Sequence, residues 1–224
     1  MTFSIAARCA ETGMLGIAVC SSSPAVAARC AHARAAVGAV ASQNITDPSL
    51  GPRALDLLAL GADAEQVIEV LQGSTPHMEF RQVLVVDTRG GSAIHSGPKA
   101  LGIWAEARAE NVACGGNLLA DPGVPQAMVD AFQASSGPLG HRLIRAMRGA
   151  LKAGGESGPV HSAGMKLVRE VSWPVADLRV DWSDDCPVEG LASLWAIYEP
   201  QLEDYVIRAR NPATAPSYGV PGDL

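Results

Sequence analysis

The residue with the clearest potential for chemistry is a threonine that directly follows the first methionine, in the sequence Met1–Thr2. If Met1 is removed, Thr2 carries a hydroxyl that can attack a carbonyl. It then also carries a free α-amine that can accept the hydroxyl proton, because such an amine has an unperturbed pKa of about 7.7–8.0. Threonine is also common in strands. The dipeptide therefore indicates a candidate nucleophile, with an ordinary strand residue as the alternative.

Two strand-like runs must position this threonine. The run "TFSIAAR" at 2–8 predicts a first strand, and "MLGIAVC" at 14–20 predicts a second, buried one. The intervening "CAETG" supplies turn chemistry through Gly13. We therefore predict a β-hairpin with Thr2 at its start, followed by an irregular connection at 21–35.

The rest of the chain alternates strands with helices that come in pairs. Alternation and turn signals predict strands or hairpins at 36–43, 80–97, 110–117, 159–170 and 175–183. Apolar periodicity and caps predict helices at 47–61, 63–73, 122–133, 138–153 and 187–211. This order predicts an α+β fold, a four-layer αββα sandwich of two stacked, mainly antiparallel sheets. We expect one domain over 1–210 and a Pro- and Gly-rich tail over 211–224.

Composition narrows the class of protein. The chain has 224 residues, 48% of them hydrophobic and 18% charged, with a formal net charge of -6. Such a chain is globular, and its acidic balance argues against a nucleic-acid partner. The sequence shows neither a signal peptide nor an apolar run of the roughly 18 residues that a membrane helix needs. Five cysteines without paired spacing are typical of reduced thiols. We expect a cytoplasmic protein that makes no contact with membranes.

Several segments, taken in order, carry a family resemblance: "TFSIAAR", "ETGMLGIAV", "ARAAVGAVASQ", "FRQVLVVD" and "GGNLLADPGV". Together they resemble the bacterial and archaeal family named domain of unknown function 1028, from Thr2 to about Tyr205. That family is assigned to the N-terminal nucleophile (Ntn) hydrolase fold and has no settled activity. The resemblance implies the αββα sandwich, places Thr2 at the nucleophile position, and puts the serines at 21–23 where the site lining would be.

At two further positions, this sequence departs from the pattern of the family that it resembles. Proteasome-like members have an acidic residue after the second strand, and here Ser22 stands near that place. They also use a lysine to favour the reactive state of the nucleophile. Arg34 is a possible substitute because a fixed positive charge favours a neutral amine, although arginine cannot usefully exchange a proton. A structural ion pair is the alternative for Arg34.

Other polar residues are candidates for binding the substrate. The third strand ends in Ser42, Gln43 and Asn44, where the wider fold can supply an oxyanion hole. Asn117 follows a Gly-Gly pair and is a second oxyanion candidate, with a simple turn as its alternative. Arg81 could bind a substrate carboxylate bidentately, or could form a salt bridge at a strand edge.

The remaining signals are weaker. The five histidines show no metal-ligand spacing, so we expect no metal and no cofactor. The run "GGESGP" at 154–159 predicts a loop. An apolar stripe on the last helix predicts a core or dimer face, and we expect a homodimer or a higher homo-oligomer.

Two functions stay open. One is an amidohydrolase for a small amide or peptide-like substrate, with Thr2 as nucleophile after Met1 removal. The other is a non-catalytic ligand-binding or assembly protein that keeps Met1.

Overall fold

The strands of the chain form two antiparallel sheets. Residues 1–222, which the computed structural model describes, contain ten strands: β1 Thr2–Arg8, β2 Leu15–Ser21, β3 Ala31–Arg34, β4 Gly38–Gln43, β5 Gln82–Asp87, β6 Ser92–Ser96, β7 Ala105–Ala109, β8 Val112–Asn117, β9 Ser162–Val168 and β10 Ala176–Val180. The larger sheet has the order β10-β9-β2-β1-β8-β7, and the smaller one has the order β3-β4-β5-β6. β1 is therefore an interior strand, paired with β2 on one side and β8 on the other.

Helices cover the outer faces of both sheets. The described residues contain the helices α1 Ala27–Cys30, α2 Leu50–Ala59, α3 Ala64–Ser74, α4 Val124–Gln133, α5 Leu139–Lys152, α6 Pro187–Tyr198 and α7 Leu202–Arg210. Helices α2 and α3 contact the smaller sheet, and α4, α5 and α6 contact the larger one. The predicted helix pairs therefore lie on opposite sides of the molecule.

Three apolar clusters make these layers one body. The middle cluster joins the two sheets and includes Ile17 and Val19 from β2, with Leu84 and Val86 from β5. The larger outer cluster lies between the six-stranded sheet and its helices, and the smaller one lies under α2 and α3. Small and branched side chains allow the sheets to approach closely, which fits the aromatic content of only 4%. The predicted sandwich of stacked antiparallel sheets is confirmed.

Helix boundaries follow local chemistry, with two corrections. Asp63 caps α3 in a reciprocal capping box with Gln66, as the sequence predicts for that start. The expected stop at Gly73 is wrong, because α3 continues through it and ends at Ser74. The predicted continuous helix at 187–211 is also wrong. It breaks into α6 and α7 around Pro200, which lacks an N–H for the helical ladder.

The irregular connection predicted at 21–35 contains regular structure. It holds the single-turn helix α1 and the edge strand β3. The expectation of a strand at 110–117 also missed its partner β7, whose sequence "AEARA" combines alanine with charge and has low β-propensity. The first omission matters because Arg29 and Cys30 of α1 line a cavity together with Thr2.

The remaining expectations concern the chain ends and its thiols. Four cysteines are buried and Cys186 is exposed. Over residues 1–222, no helix combines the length and apolar character needed to cross a bilayer. The predicted tail contains a 3-10 turn at Pro212–Thr214, and the Arg208 guanidinium lies over the Tyr218 ring. Residues 223–224 of that tail lie outside the described part of the chain, and the domain boundary at 210 stays a prediction.

Candidate active site

Thr2 lies at the mouth of a polar cavity. It is the first residue of β1, it pairs with Asn117 of β8, and it is 6% exposed. The cavity, here called the Thr2 cavity, has a volume of about 300 Å³. Its lining comes from β1, β8, the segment after β2, the segment after β4 and the loop before β7: Met1, Thr2, Ser23, Arg29, Cys30, Asn44, Ile45, Thr46, Leu101 and Asn117. Thr2 pairs with Asn117 alone, and the next residue, Phe3, is paired on both sides, with Cys20 and Gly116, so β1 fixes the backbone position of Thr2.

A row of hydroxyls connects Thr2 to a positive charge. Thr2 Oγ1 lies 3.4 Å from Ser21 Oγ, which in turn lies 2.8 Å from Ser23 Oγ. The Arg29 guanidinium donates to Ser23 Oγ at 2.6 Å. The hydroxyls of Thr2 and Ser21 also donate to the Met1 carbonyl. The arrangement orients the Thr2 hydroxyl, and the Arg29 charge polarises the row that reaches it.

A buried carboxyl stands behind this row. Glu156 is 5% exposed, and both of its oxygens accept the Ser22 N–H at 3.2 Å. Burial raises the pKa of Glu156 to about 7, while the N-terminal ammonium and the Ser22 hydrogen bonds pull that pKa down. A carboxyl with a pKa near neutrality, within electrostatic reach of the chain's amine, can exchange protons at physiological pH.

The segment after β4 lines the cavity with a turn whose backbone is in an uncommon conformation. Asn44 and Ile45 have positive φ angles of 58° and 48°, a conformation that is uncommon for residues other than glycine. The Asn44 side chain holds this turn, since its Oδ1 accepts the Leu101 N–H at 3.1 Å and its Nδ2 donates to the Phe80 carbonyl. The N–H groups of Ile45 and Thr46 have no acceptor within residues 1–222. Such free donors can stabilise a developing oxyanion.

A buried amide network supports the cavity from behind. Gln43 Nε2 donates to Gln82 Oε1 at 2.8 Å, and Gln43 Oε1 accepts the Ser4 hydroxyl at 2.7 Å. Asn117 Nδ2 lies 3.5 Å from Gln82 Oε1. The network ties β1 and β8 of one sheet to β4 and β5 of the other. It therefore holds the nucleophile candidate and the oxyanion candidate in a fixed relation.

The sequence profile of a family of unknown function, DUF1028, matches residues 2–191. The chain belongs to the DUF1028 family. The crystal structure of the DUF1028 protein SPO2555 from Silicibacter pomeroyi is similar, with 28% identity, a TM-score of 0.83 and coverage of 93% of each chain. Anbu, an ancestral beta-subunit from Yersinia bercovieri, superposes over 96% of this chain and 99% of its own, with 10% identity and a TM-score of 0.39. No curated protein matches the chain.

Within this DUF1028 chain, some of the predicted site residues come together. Thr2, Asn44 and Asn117 all line the Thr2 cavity. Gln43 lies behind it in the amide network, and the buried Ser42 hydroxyl donates to the Asp47 carbonyl at 2.8 Å. The first group therefore borders the cavity, and the second group supports its wall.

Three other predicted residues do not face the cavity. Arg34 is half-exposed at the end of β3 and forms an ion pair with Asp56 at 2.8 Å, which is the structural alternative stated for it. Arg81 donates to the Ile45 carbonyl and so holds the turn after β4. Ser22 offers its backbone N–H to Glu156, while the hydroxyls that continue from Thr2 belong to its two neighbours, Ser21 and Ser23.

Two residues of the site were not singled out from the sequence. Arg29 lies in the segment predicted to be irregular, and Glu156 lies in the loop "GGESGP". The available signal for Glu156 was a single acid inside an otherwise uncharged Gly- and Ser-rich loop. Arg29 carried no comparable signal, because only the fold of α1 and the serine segment brings its guanidinium to Ser23.

Proposed function

We propose that this protein is an N-terminal nucleophile amidohydrolase that cleaves a small amide or peptide-like bond, with Thr2 as nucleophile after removal of Met1. One observation carries the proposal. Thr2 lines the same cavity as Ile45 and Thr46, whose N–H groups have no acceptor within residues 1–222. A nucleophile and oxyanion donors on one cavity are the minimal parts of an acyl-transfer site.

The reaction would proceed through an ester on Thr2. Thr2 Oγ forms a bond to the substrate carbonyl carbon, and the free Thr2 amine takes the hydroxyl proton. The oxyanion that forms accepts hydrogen bonds from the Ile45 and Thr46 N–H groups. The amine proton passes to the leaving nitrogen as the C–N bond breaks. Water, deprotonated by the same amine, then hydrolyses the ester and restores the Thr2 hydroxyl.

Two neighbouring residues would support the proton transfers. Ser21 Oγ, 3.4 Å from Thr2 Oγ1, orients the attacking hydroxyl. Burial raises the pKa of Glu156 to about 7 and the charge of the Met1 ammonium lowers it, so this carboxyl lies within electrostatic reach of the amino terminus. In its charged form it favours the ammonium, and in its neutral form it favours the free amine that acts as base. We propose Glu156 as a positioning residue for the amine.

A second candidate function rests on the hydrogen bonds of the Met1 carbonyl. The Met1 carbonyl accepts hydrogen bonds from the hydroxyls of Thr2 and Ser21, so a retained methionine has a defined place beside the cavity. With Met1 in place, the Thr2 nitrogen is an amide and cannot act as a base. The protein would then be a non-catalytic ligand-binding or assembly protein on the same fold.

The deciding experiment is mass spectrometry on protein isolated from its native host. We expect an intact mass that lacks Met1, and a single mass addition after treatment with an amide-mimicking β-lactone. Thr2→Ser should keep the labelling and Thr2→Ala should abolish it. Thr12→Ala is the matched control, because it removes a threonine hydroxyl beyond the opposite end of β1 and should keep labelling.

Two results would count against the hydrolase. A native mass that includes Met1 would favour the binding or assembly protein. Labelling that persists in Thr2→Ala would place the nucleophile on another residue.

A further inference from the structure

The guanidinium of Arg29 is held rigidly at the edge of the Thr2 cavity. Its Nη1 donates to the carbonyls of Pro24 and Ala25 at 2.7 and 3.1 Å, and its Nη2 donates to Ser23 Oγ at 2.6 Å. All three acceptors are uncharged. The Nε–H has no acceptor within residues 1–222 and is not among their buried unpaired atoms. The cation is therefore fixed in place, with donor capacity left over.

Arg29 also lacks a counter-ion among residues 1–222. Within the described part of the chain, no carboxylate forms an ion pair with it, and none belongs to the cavity lining. The chain as a whole carries 23 acidic residues against 17 lysines and arginines, so acids are not scarce. Arg29 is the ionised side chain among the cavity-lining residues. A half-buried cation is stabilised when an anion enters beside it.

The other walls limit what that anion can be. Ile45 and Leu101 give the cavity an apolar side, whereas Thr46 and Asn117 are polar. A volume of about 300 Å³ is at the small end of ligand sites. One guanidinium fork matches one planar carboxylate.

We infer that the Thr2 cavity takes a small amide that carries a carboxylate, of the N-acyl amino acid type, and that Arg29 binds this carboxylate. The inference rests on the proposed function for the bond that is cleaved, but the binding step can be tested alone. It predicts that the site discriminates by charge, at a position separate from the reacting carbonyl.

The test measures binding to the Thr2→Ala protein, which cannot turn over. The two probes are N-acetylglycine and its uncharged amide, N-acetylglycinamide, followed by ligand-observed NMR. We expect the acid to bind about tenfold or more tightly than the amide, because a hydrogen bond to a charged group contributes about 1.5–3 kcal/mol. Added salt should reduce this preference.

Variants assign the preference to one residue. Introducing Arg29→Gln into the Thr2→Ala protein should remove the preference for the acid. Arg29→Lys should keep part of that preference, since lysine keeps the charge but lacks the planar guanidinium. Arg34→Gln is the matched control, because Arg34 pairs with Asp56 outside the cavity and its loss should leave the preference intact. Thermal melting of each variant confirms that it is folded. Arg29→Lys carries the assignment if Arg29→Gln does not fold.

Three results would overturn the inference: equal binding of the two probes, no saturable binding of the acid, or an unchanged preference when Arg29 is replaced. Failure of the proposed function looks different. If the acid binds selectively to Thr2→Ala but no β-lactone labels the native protein, the carboxylate site stands and the hydrolase does not.

Discussion

The two ends of β1 open onto cavities of different character. At the Thr2 end, the cavity of about 300 Å³ is bordered by hydroxyls, amides and a guanidinium. At the other end, a groove of about 350 Å³, here called the Cys9 groove, lies between the turn after β1 and the helices α5, α6 and α7. Its walls are largely apolar, with Leu139, Leu167 and Trp195 among them.

The comparison shows that volume alone does not mark a reactive site. Two acids of the Cys9 groove have basic partners outside it: Glu199 lies 2.6 Å from His141, and Glu203 pairs with Arg169. Burial opposes ionisation of the Cys9 thiol, but hydrogen bonds from Thr12 and Glu11 and the charge of Arg142 together outweigh it and lower the pKa. The Thr2 cavity instead keeps unpaired donors beside a hydroxyl. The smaller cavity is therefore the better candidate for chemistry.

The largest expected effect concerns the buried acid at the Thr2 end. Burial raises the pKa of Glu156 to about 7 from its ordinary 4.5. A raised folded-state pKa of an acid stabilises the fold below the unfolded pKa, and this contribution is lost as the pH rises through about 7. Glu156→Gln should remove this loss, so its free energy of unfolding near pH 8 should exceed that of wild type by on the order of 3 kcal/mol. Urea unfolding between pH 5 and 8 measures it.

The control for this experiment is Glu189, an exposed acid on α6. The Arg148 hydrogen bond lowers the pKa of Glu189, so Glu189→Gln should not produce a gain at high pH. An unfolding free energy of wild type that stays flat from pH 5 to 8 would show that Glu156 is not held as a neutral acid.

The second prediction compares the two ends directly. Ser21→Ala removes the hydroxyl that lies 3.4 Å from Thr2 Oγ1, so labelling by the β-lactone should slow about 3- to 10-fold, given about 0.5–1.5 kcal/mol for a hydrogen bond between uncharged groups. Cys9→Ala, at the other end of β1, should leave the labelling rate unchanged. Stopped-time mass spectrometry gives both rates. Slowing by Cys9→Ala alone would reverse the assignment of the two cavities.

The smallest effect tests the packing of the Cys9 groove. A Cβ on Gly140 would come within 2.5 Å of the Trp195 ring. Gly140→Ala should therefore destabilise the protein by about 1 kcal/mol, because overpacking of about 1–3 kcal/mol is partly offset by the better helix propensity of alanine. Labelling of Thr2 should not change.

Its matched control is Gly73→Ala in α3, where a Cβ meets nothing within 4 Å. That change should stabilise by about 1 kcal/mol through helix propensity. Denaturant unfolding compares the two variants. A stabilising Gly140→Ala would mean that the groove walls yield more readily than the contact with Trp195 indicates.

Much of the architecture could be predicted from local patterns. The hairpin of β1 and β2 has strong apolar runs around Gly13, and Asp63 with Gln66 marks the start of α3, so these elements follow from the sequence. The strand β7 could not be predicted, because its alanines become strand only through pairing with β8. Local propensity is weak wherever the partner strand supplies the stabilisation.

Site residues could be predicted from the sequence only where their immediate neighbours along the chain gave a signal. Thr2 stood out because its chemistry depends on the neighbouring Met1, and Asn117 because it follows two glycines. Glu156 is 134 positions from Ser22, and the sheet order alone joins them. Arg29 and Arg34 are five residues apart, yet one faces the cavity and the other pairs with Asp56. A short helix and a strand turn them apart, and no spacing rule predicts this.

The place of Thr2 in β1 has a practical consequence for protein production. β1 is an interior strand whose pairing with β8 begins at Thr2, so a segment attached ahead of that residue starts from a fixed point. Met1 already lines the cavity. A purification tag fused to the amino terminus would extend the chain from beside the cavity and crowd the site that a ligand needs. Such tags belong at the carboxyl terminus, since α7 borders the opposite end of the strand.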